Sequence, residues 1–172
     1  MKNYVLVGYM GCGKTTVGKN LARICNMKFL DTDELIEEKQ GRKISDIFAT
    51  DGEQAFRDME TMVLQEMLNQ KKTGYVISTG GGMPVREENR ELLKKLGMVF
   101  YLKAKPETVY ERVKGDTKRP LLQCEDPLGR IRTMQEQREA AYKDAAHYVV
   151  EVDEYKQSEI AEQIKIKGRE KE

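Results

Sequence analysis

The stretch Asn3-Tyr4-Val5-Leu6-Val7-Gly8-Tyr9-Met10-Gly11-Cys12-Gly13-Lys14-Thr15 decides the fold of this chain. Its last eight residues match the phosphate-binding pattern G-x-x-x-x-G-K-[ST]. Glycines let the backbone curl without Cβ clashes, so successive N–H groups turn inward toward phosphate oxygens. The helix that follows adds unpaired N–H groups and its positive dipole end. In such a loop Lys14 neutralises the β- and γ-phosphates, and the Thr15 hydroxyl ligates Mg2+. Average residue usage produces the four fixed positions by chance on the order of once in a hundred chains of this size. Context narrows this further. Asn3 to Val7 is a short run rich in β-formers, and Val17, Leu21, Ala22 and Cys25 recur at helical spacing beyond the loop.

Working outward, strand-like and helix-like segments alternate. Lys28-Phe29-Leu30, Tyr75 to Ser78, Met98 to Leu102 and Tyr148 to Val152 read as strands. Asp33 to Glu38, Glu53 to Leu68, Glu87 to Leu96, a segment starting at Pro106 and one around Ile160 to Ile166 read as helices, with Gly168 to Glu172 fraying. Five short strands separated by helices imply an α/β fold: a parallel five-stranded sheet in a three-layer αβα arrangement. Ligands of such sheets bind at the carboxyl ends of the strands. The phosphate loop follows the first strand, Asp31-Thr32-Asp33 the second and Gly80-Gly81-Gly82 the third. Lys114 to Arg132, with Gly115, Pro120, Pro127 and Gly129, reads as irregular. A phosphoryl-transfer site must exclude water. The stretch 114–129 is therefore expected to be a mobile lid carrying Arg119, with a solvated surface loop as the alternative.

The 172 residues suit one domain spanning 1–172. With 30 basic and 29 acidic residues the net charge is +1, which gives no electrostatic case for nucleic acid or a membrane surface. No apolar stretch approaches the ~18 residues of a membrane span, and a strand begins too early to leave room for a signal peptide. Three cysteines, Cys12, Cys25 and Cys124, show no C-x-x-C spacing, and a reducing cytoplasm is the simplest setting. Cys12 lies near a helix N-terminus, where a thiol pKa falls. Redox control and a small loop-filling role are both open to it. His147 is the sole histidine, so a histidine metal cluster or catalytic triad is excluded.

Two aspartates one residue apart at a strand end are costly to bury unless a cation or hydroxyl answers them. Mg2+ and a substrate hydroxyl would do so. The competing reading is that Asp33 caps the next helix. Three glycines in a row after a strand exceed what a turn needs and permit close approach of backbone to a ligand. Arg57, Arg119 and Arg138 supply forks that match carboxylates and phosphates. Together they suggest a hydroxylated, anionic acceptor, a description several hydroxy acids meet equally.

The sequence resembles the shikimate kinases over nearly its whole length. The resemblance rests on Gly13-Lys14-Thr15-Thr16-Val17-Gly18; Asp31-Thr32-Asp33; Ile47-Phe48, Gly52-Glu53 and Phe56-Arg57 with Glu60; Ser78-Thr79-Gly80-Gly81-Gly82; Arg119-Pro120-Leu121-Leu122; and Arg138 through Tyr142. It departs at Ala140-Ala141, where the family often has Pro-Leu, a difference of helix packing. The resemblance implies a P-loop NTPase fold of the nucleoside-monophosphate-kinase type, and ATP- and Mg2+-dependent phosphorylation of the 3-hydroxyl of shikimate in aromatic amino-acid biosynthesis. It implies that Gly11, Cys12, Gly13, Lys14, Thr15 and Thr16 surround the nucleotide phosphates, and that Arg112 and Arg119 lie near the nucleotide. Thr15 and Asp31 would serve Mg2+. Asp33, Arg57, Gly80, Gly81, Gly82 and Arg138 would hold shikimate, with Lys14, Asp33 and Arg119 acting in the chemistry. A stretch near Asp153 to Ser158 would border the adenine. A monomer in the cytoplasm, using only small-molecule partners, is expected. A kinase for another hydroxy acid such as gluconate would share the phosphate loop but not the glycine triplet and the Arg57 block. A silent nucleotide-binding module should have lost some of Lys14, Asp33, Arg57 or Arg119, and all are present.

Overall fold

A computed structural model describes residues 2–115 and 124–171. Five strands form one sheet: β1 (Tyr4–Val7), β2 (Lys28–Asp31), β3 (Tyr75–Ser78), β4 (Met98–Lys103) and β5 (Tyr148–Glu151). Their order is β2-β3-β1-β4-β5, and every pairing is parallel. Tyr4 sits opposite Val76 on one side and Met98 on the other, so the strand carrying the phosphate loop is central. All four residues of β1 are buried. A continuous apolar strand of this kind is what a parallel sheet covered on both faces requires.

Among the described residues seven α-helices lie between the strands and an eighth follows β5: α1 (Lys14–Cys25), α2 (Thr32–Gln40), α3 (Ile44–Asp51), α4 (Glu53–Asn69), α5 (Glu87–Leu96), α6 (Pro106–Val113), α7 (Pro127–Ala145) and α8 (Gln157–Arg169). Helices α1 and α8 pack together, while α4, α5 and α7 form a second group. At the amino end of the sheet Asn3 acts as a staple. Its Nδ2 donates to Lys72 O (2.7 Å) and Leu96 O (2.9 Å), and its Oδ1 accepts from the Tyr75 N–H (3.0 Å). Buried polar groups of this kind are tolerable only when fully partnered.

Four expectations change. Helix α2 begins at Thr32, with Asp31 and not Asp33 as its cap. Helix α3 stands where no element was anticipated. The segment read as irregular to Arg132 becomes helical at Pro127, so residues 127–129 of the expected lid are the first turn of α7. Proline suits that first turn, and the Asp126 side chain accepts from Gly129 N–H (3.0 Å). Gly168 is not frayed: it is buried inside α8, with the Tyr4 ring packed where a side chain would stand. Half of the expected lid, residues 116–123 with Arg119, lies outside the described residues. No described helix is long and apolar enough to cross a membrane.

Candidate active site

Three strand ends deliver the site. After β1 the chain turns at Gly13, whose φ of 98° lies in the left-handed region and caps α1. Lys14 follows and is 9% exposed, an unusual burial for a lysine. Its ammonium is answered by backbone, donating to Gly8 O (2.5 Å) and Tyr9 O (3.1 Å). Cys12 fills the inside of the loop, with its Sγ 3.7 Å from Lys14 Nζ. Thr15 and Thr16 are exposed on the first turn of α1. From α6, Arg112 Nη1 donates to Gly11 O (3.1 Å), bringing a cation over the loop. The loop, Asp31, Asp33, Ser78 to Gly81, Arg112 and Gln157 line one cleft of about 470 Å3. Gln157 belongs to the stretch expected beside adenine.

At the end of β2 the two aspartates divide their work. Asp31 Oδ1 accepts from Asp33 N–H (2.8 Å) and Glu34 N–H (3.2 Å), capping α2. Its second oxygen is left over from the cap. That oxygen and the Thr15 hydroxyl make a hard donor pair of the kind Mg2+ takes alongside phosphates and water, so the residues present fit the ion. Asp33 instead turns toward the glycine triplet. A Cβ on Gly80 would stand 2.6 Å from Asp33 Oδ1. That oxygen is buried without a hydrogen-bond partner. Burial, then the charge of Asp31, raises the Asp33 pKa to about 6, against the opposing pull of Lys14 and Arg57. Between the aspartates, buried Thr32 accepts the Gly80 N–H at its Oγ1 (3.1 Å), fixing the triplet to α2.

The end of β3 is tied to β1 by Thr79, whose N–H (3.1 Å) and hydroxyl (2.9 Å) both donate to Leu6 O. The glycines beyond it meet two arginines. A Cβ on Gly82 would lie 2.5 Å from Arg57 Nη1, and one on Gly81 would lie 3.6 Å from the Met10 N and 3.7 Å from Arg138 Nη1. Gly81 is thus the junction between the phosphate loop and a second cleft of about 550 Å3, which includes Arg57, Arg90, Arg138, Ala140, Ala141 and Asp144 in its walls. The Gly81 carbonyl accepts the Tyr142 hydroxyl (2.7 Å). Arg57 Nη1 is paired with Glu60 Oε1 at 2.7 Å. Glu60 is fully buried, and its other oxygen has no partner. Burial lifts its pKa to about 7 although Arg57 pulls the other way.

All predicted site residues among the described ones therefore gather at the carboxyl end of the sheet. Glu60, Thr32 and Tyr142 had no assigned function in the sequence. The available signal for Glu60 was its i,i+3 spacing from Arg57 on one helix. A further cleft of about 380 Å3, holding Lys2, Lys94, Lys95, His147 and Lys171, lies at the amino ends of the strands and contains none of the site residues.

The arrangement has known counterparts. The family model described as "Shikimate kinase" matches residues 10–167. A shikimate kinase of Sulfurihydrogenibium sp. is 46% identical over 98% of this chain and 100% of its own. That of Thermodesulfovibrio yellowstonii is 42% identical over 95% and 93%. Among solved structures, shikimate kinase from Acinetobacter baumannii in complex with shikimate superposes with a TM-score of 0.92 at 39% identity, covering 100% of this chain and 95% of that one. The Aquifex aeolicus shikimate kinase gives 0.80 at 31% identity, covering 98% and 97%.

Proposed function

The chain belongs to the shikimate kinase family, and from that premise we propose how its own residues carry the reaction. The activity is transfer of the γ-phosphoryl group of ATP to the 3-hydroxyl of shikimate. The observation that carries the residue assignment is the junction at Gly81. Gly81 lines the phosphate cleft that holds the buried lysine and lies against Arg138, which lines the second cleft with Arg57 and Arg90, and Asp33 lies beside the triplet.

In this reading Gly11, Cys12, Gly13, Thr15 and Thr16 enclose the phosphates, while Lys14 leaves its backbone carbonyls to neutralise them. Arg112 lies over the nucleotide side. Thr15, and Asp31 through water, would hold Mg2+, which would supply charge neutralisation to the phosphates. Arg57 and Arg138 grip the shikimate carboxylate through their forks, the glycine triplet gives backbone without steric bulk, and Asp33 accepts the ring hydroxyls. Phosphoryl transfer runs through a loose transition state in which the nucleophile is barely deprotonated. Asp33 therefore acts mainly by orientation and takes the proton late, so a strong base is not required. Arg119 closes onto the transferring group from the lid, a role in which an arginine contributes ~10³-fold or more. A monomer in the cytoplasm is part of the same reading, on the near-neutral net charge of +1 and the cysteines without C-x-x-C spacing.

The test is ADP release from Mg·ATP with shikimate, quinate and gluconate offered separately. Shikimate-dependent turnover is expected. Turnover with gluconate alone would keep the phosphate site and overturn the acceptor. For Arg119→Ala, kcat should collapse while shikimate affinity holds; a loss of shikimate affinity alone would remove the lid role.

A further inference from the structure

We propose that Asn89 and Arg90, adjacent residues at the start of α5, are positioning residues that set the separation of Arg57 and Arg138. The inference rests on the reading that those two arginines grip the acceptor carboxylate. The glycine triplet runs directly into a single 3-10 turn, Met83–Val85. Both arginines lie against the triplet, so whatever holds that turn to α4 and α7 also fixes the gap between them.

Asn89 supplies the link to α4. It is fully buried, and its Nδ2 donates to Met83 O at 3.0 Å. That donation fixes the amide orientation and leaves Oδ1 as acceptor. Oδ1 takes the Thr61 hydroxyl at 2.6 Å. Thr61 lies one turn beyond Arg57 on α4, and its oxygen also accepts from Arg86 Nη1 (3.2 Å). Arg90 supplies the link to α7. Its Nη1 donates to Pro84 O (3.1 Å) and Val85 O (3.0 Å), both carbonyls of the same turn. Its Nε donates to Asp144 Oδ2 at 2.6 Å, on the helix that carries Arg138. Two consecutive side chains thus tie the turn to both helices that carry the arginines. Asn89 lines neither cleft, and Arg90, in the wall of the second, spends its Nε and Nη1 donors on protein. A flexible substitute at either place frees the turn, and displacement of a gripping group by ~1 Å is enough to cost up to ~100-fold.

The test compares Asn89→Ala, Arg90→Lys and Asp144→Asn with the parent enzyme, measuring KM for shikimate and for ATP, kcat, shikimate affinity by calorimetry and melting temperature. Asn89→Ala and Arg90→Lys should raise the shikimate KM by ~10-fold, equivalent to losing one well-formed buried hydrogen bond, and leave the ATP KM within about twofold. Asp144→Asn, at an exposed position that leaves folding intact, should move shikimate KM in the same direction by less. In double-mutant cycles the effect of Asn89→Ala should vanish in an Arg57→Ala background, and that of Arg90→Lys in an Arg138→Ala background, because each acts through its arginine. Additive effects, or shikimate and ATP constants that worsen together in step with melting temperature, would reduce both residues to general scaffolding and overturn the proposal. If Asn89→Ala fails to fold, the Arg90 and Asp144 variants decide alone. The single variants Arg57→Ala and Arg138→Ala separate the two levels. Unchanged shikimate affinity in those overturns the acceptor assignment and this inference with it. Loss of affinity there, with none in the Asn89 and Arg90 variants, overturns this inference only.

Discussion

At the scale of the residue, the site is governed by what touches the glycine triplet. Asp33 presents a buried oxygen with no hydrogen-bond partner and a pKa raised to about 6. The ionised form is the one that accepts hydroxyl hydrogens. Shikimate affinity of the nucleotide-free enzyme should therefore fall as pH drops through about 6. Asp31 is the largest charge holding the Asp33 pKa up. Asp31→Asn keeps an oxygen for the helix cap and removes that charge, so the fall should move to lower pH. Calorimetric titrations across the range decide this, and a profile that does not respond to Asp31→Asn would detach the pH dependence from Asp33. The triplet gives a second, steric prediction. Gly82→Ala drives a methyl into Arg57, whereas Gly81→Ala meets nothing nearer than 3.6 Å. Gly82→Ala should weaken shikimate binding by ~10-fold or more, as a gripping group is pushed off its position. The folded state should accept Gly81→Ala, so comparing melting curves with binding curves for the pair tells displacement of Arg57 from damage to the fold.

At the scale of the element, caps and turn residues place the side chains. Asp31 ends β2 and starts α2 by accepting two N–H groups. Asp31→Ala should destabilise the protein by ~1 kcal/mol and Asp31→Asn by much less, since asparagine caps nearly as well as aspartate. Equal denaturant midpoints for Asp31→Ala and the parent would show the cap to be idle. The sequence could not say which aspartate capped, because both positions precede a helical run and only the side-chain geometry separates them. Strands β1, β3 and β4 were legible because they are nearly continuous apolar runs. Helix α3 was not: eight residues between Gly41 and Gly52 offer Ile44, Ile47 and Phe48 at helical spacing, too short a pattern to outweigh its glycine borders. The start of α7 was hidden for the opposite reason. Pro127 and Gly129 read as breakers, although proline in the first turn after an aspartate cap is a start signal. Glu60 was legible as part of a block but not as a buried group, because a glutamate on an amphipathic helix ordinarily faces water.

At the scale of the whole molecule, a sheet of order β2-β3-β1-β4-β5 sends the phosphate loop, the aspartate pair and the glycine triplet to one end. Helix α4 must then bring Arg57 to that end, and Glu60 follows it into the interior. Glu60 is fully buried, and burial lifts its pKa from 4.5 to about 7 even with Arg57 at 2.7 Å. The consequence for stability follows from proton counting. Between 4.5 and about 7 the native chain holds a proton on Glu60 that the unfolded chain has released. The unfolded state thus binds fewer protons, and stability falls as pH rises through that window. Below it both states are protonated and the penalty is absent; above it the penalty is complete. Asp33, raised to about 6, adds a contribution of the same sign. Glu60→Gln keeps an oxygen for Arg57 but cannot ionise, so its stability relative to the parent should climb steadily from pH 4.5 to about 7 and then level. Urea midpoints of the two proteins across that range measure the difference directly. Any packing change made by the amide shifts the whole curve without altering its slope, so the slope alone carries the result. Parallel curves would mean that Glu60 stays ionised in the fold, with Arg57 outweighing the desolvation that now sets its pKa.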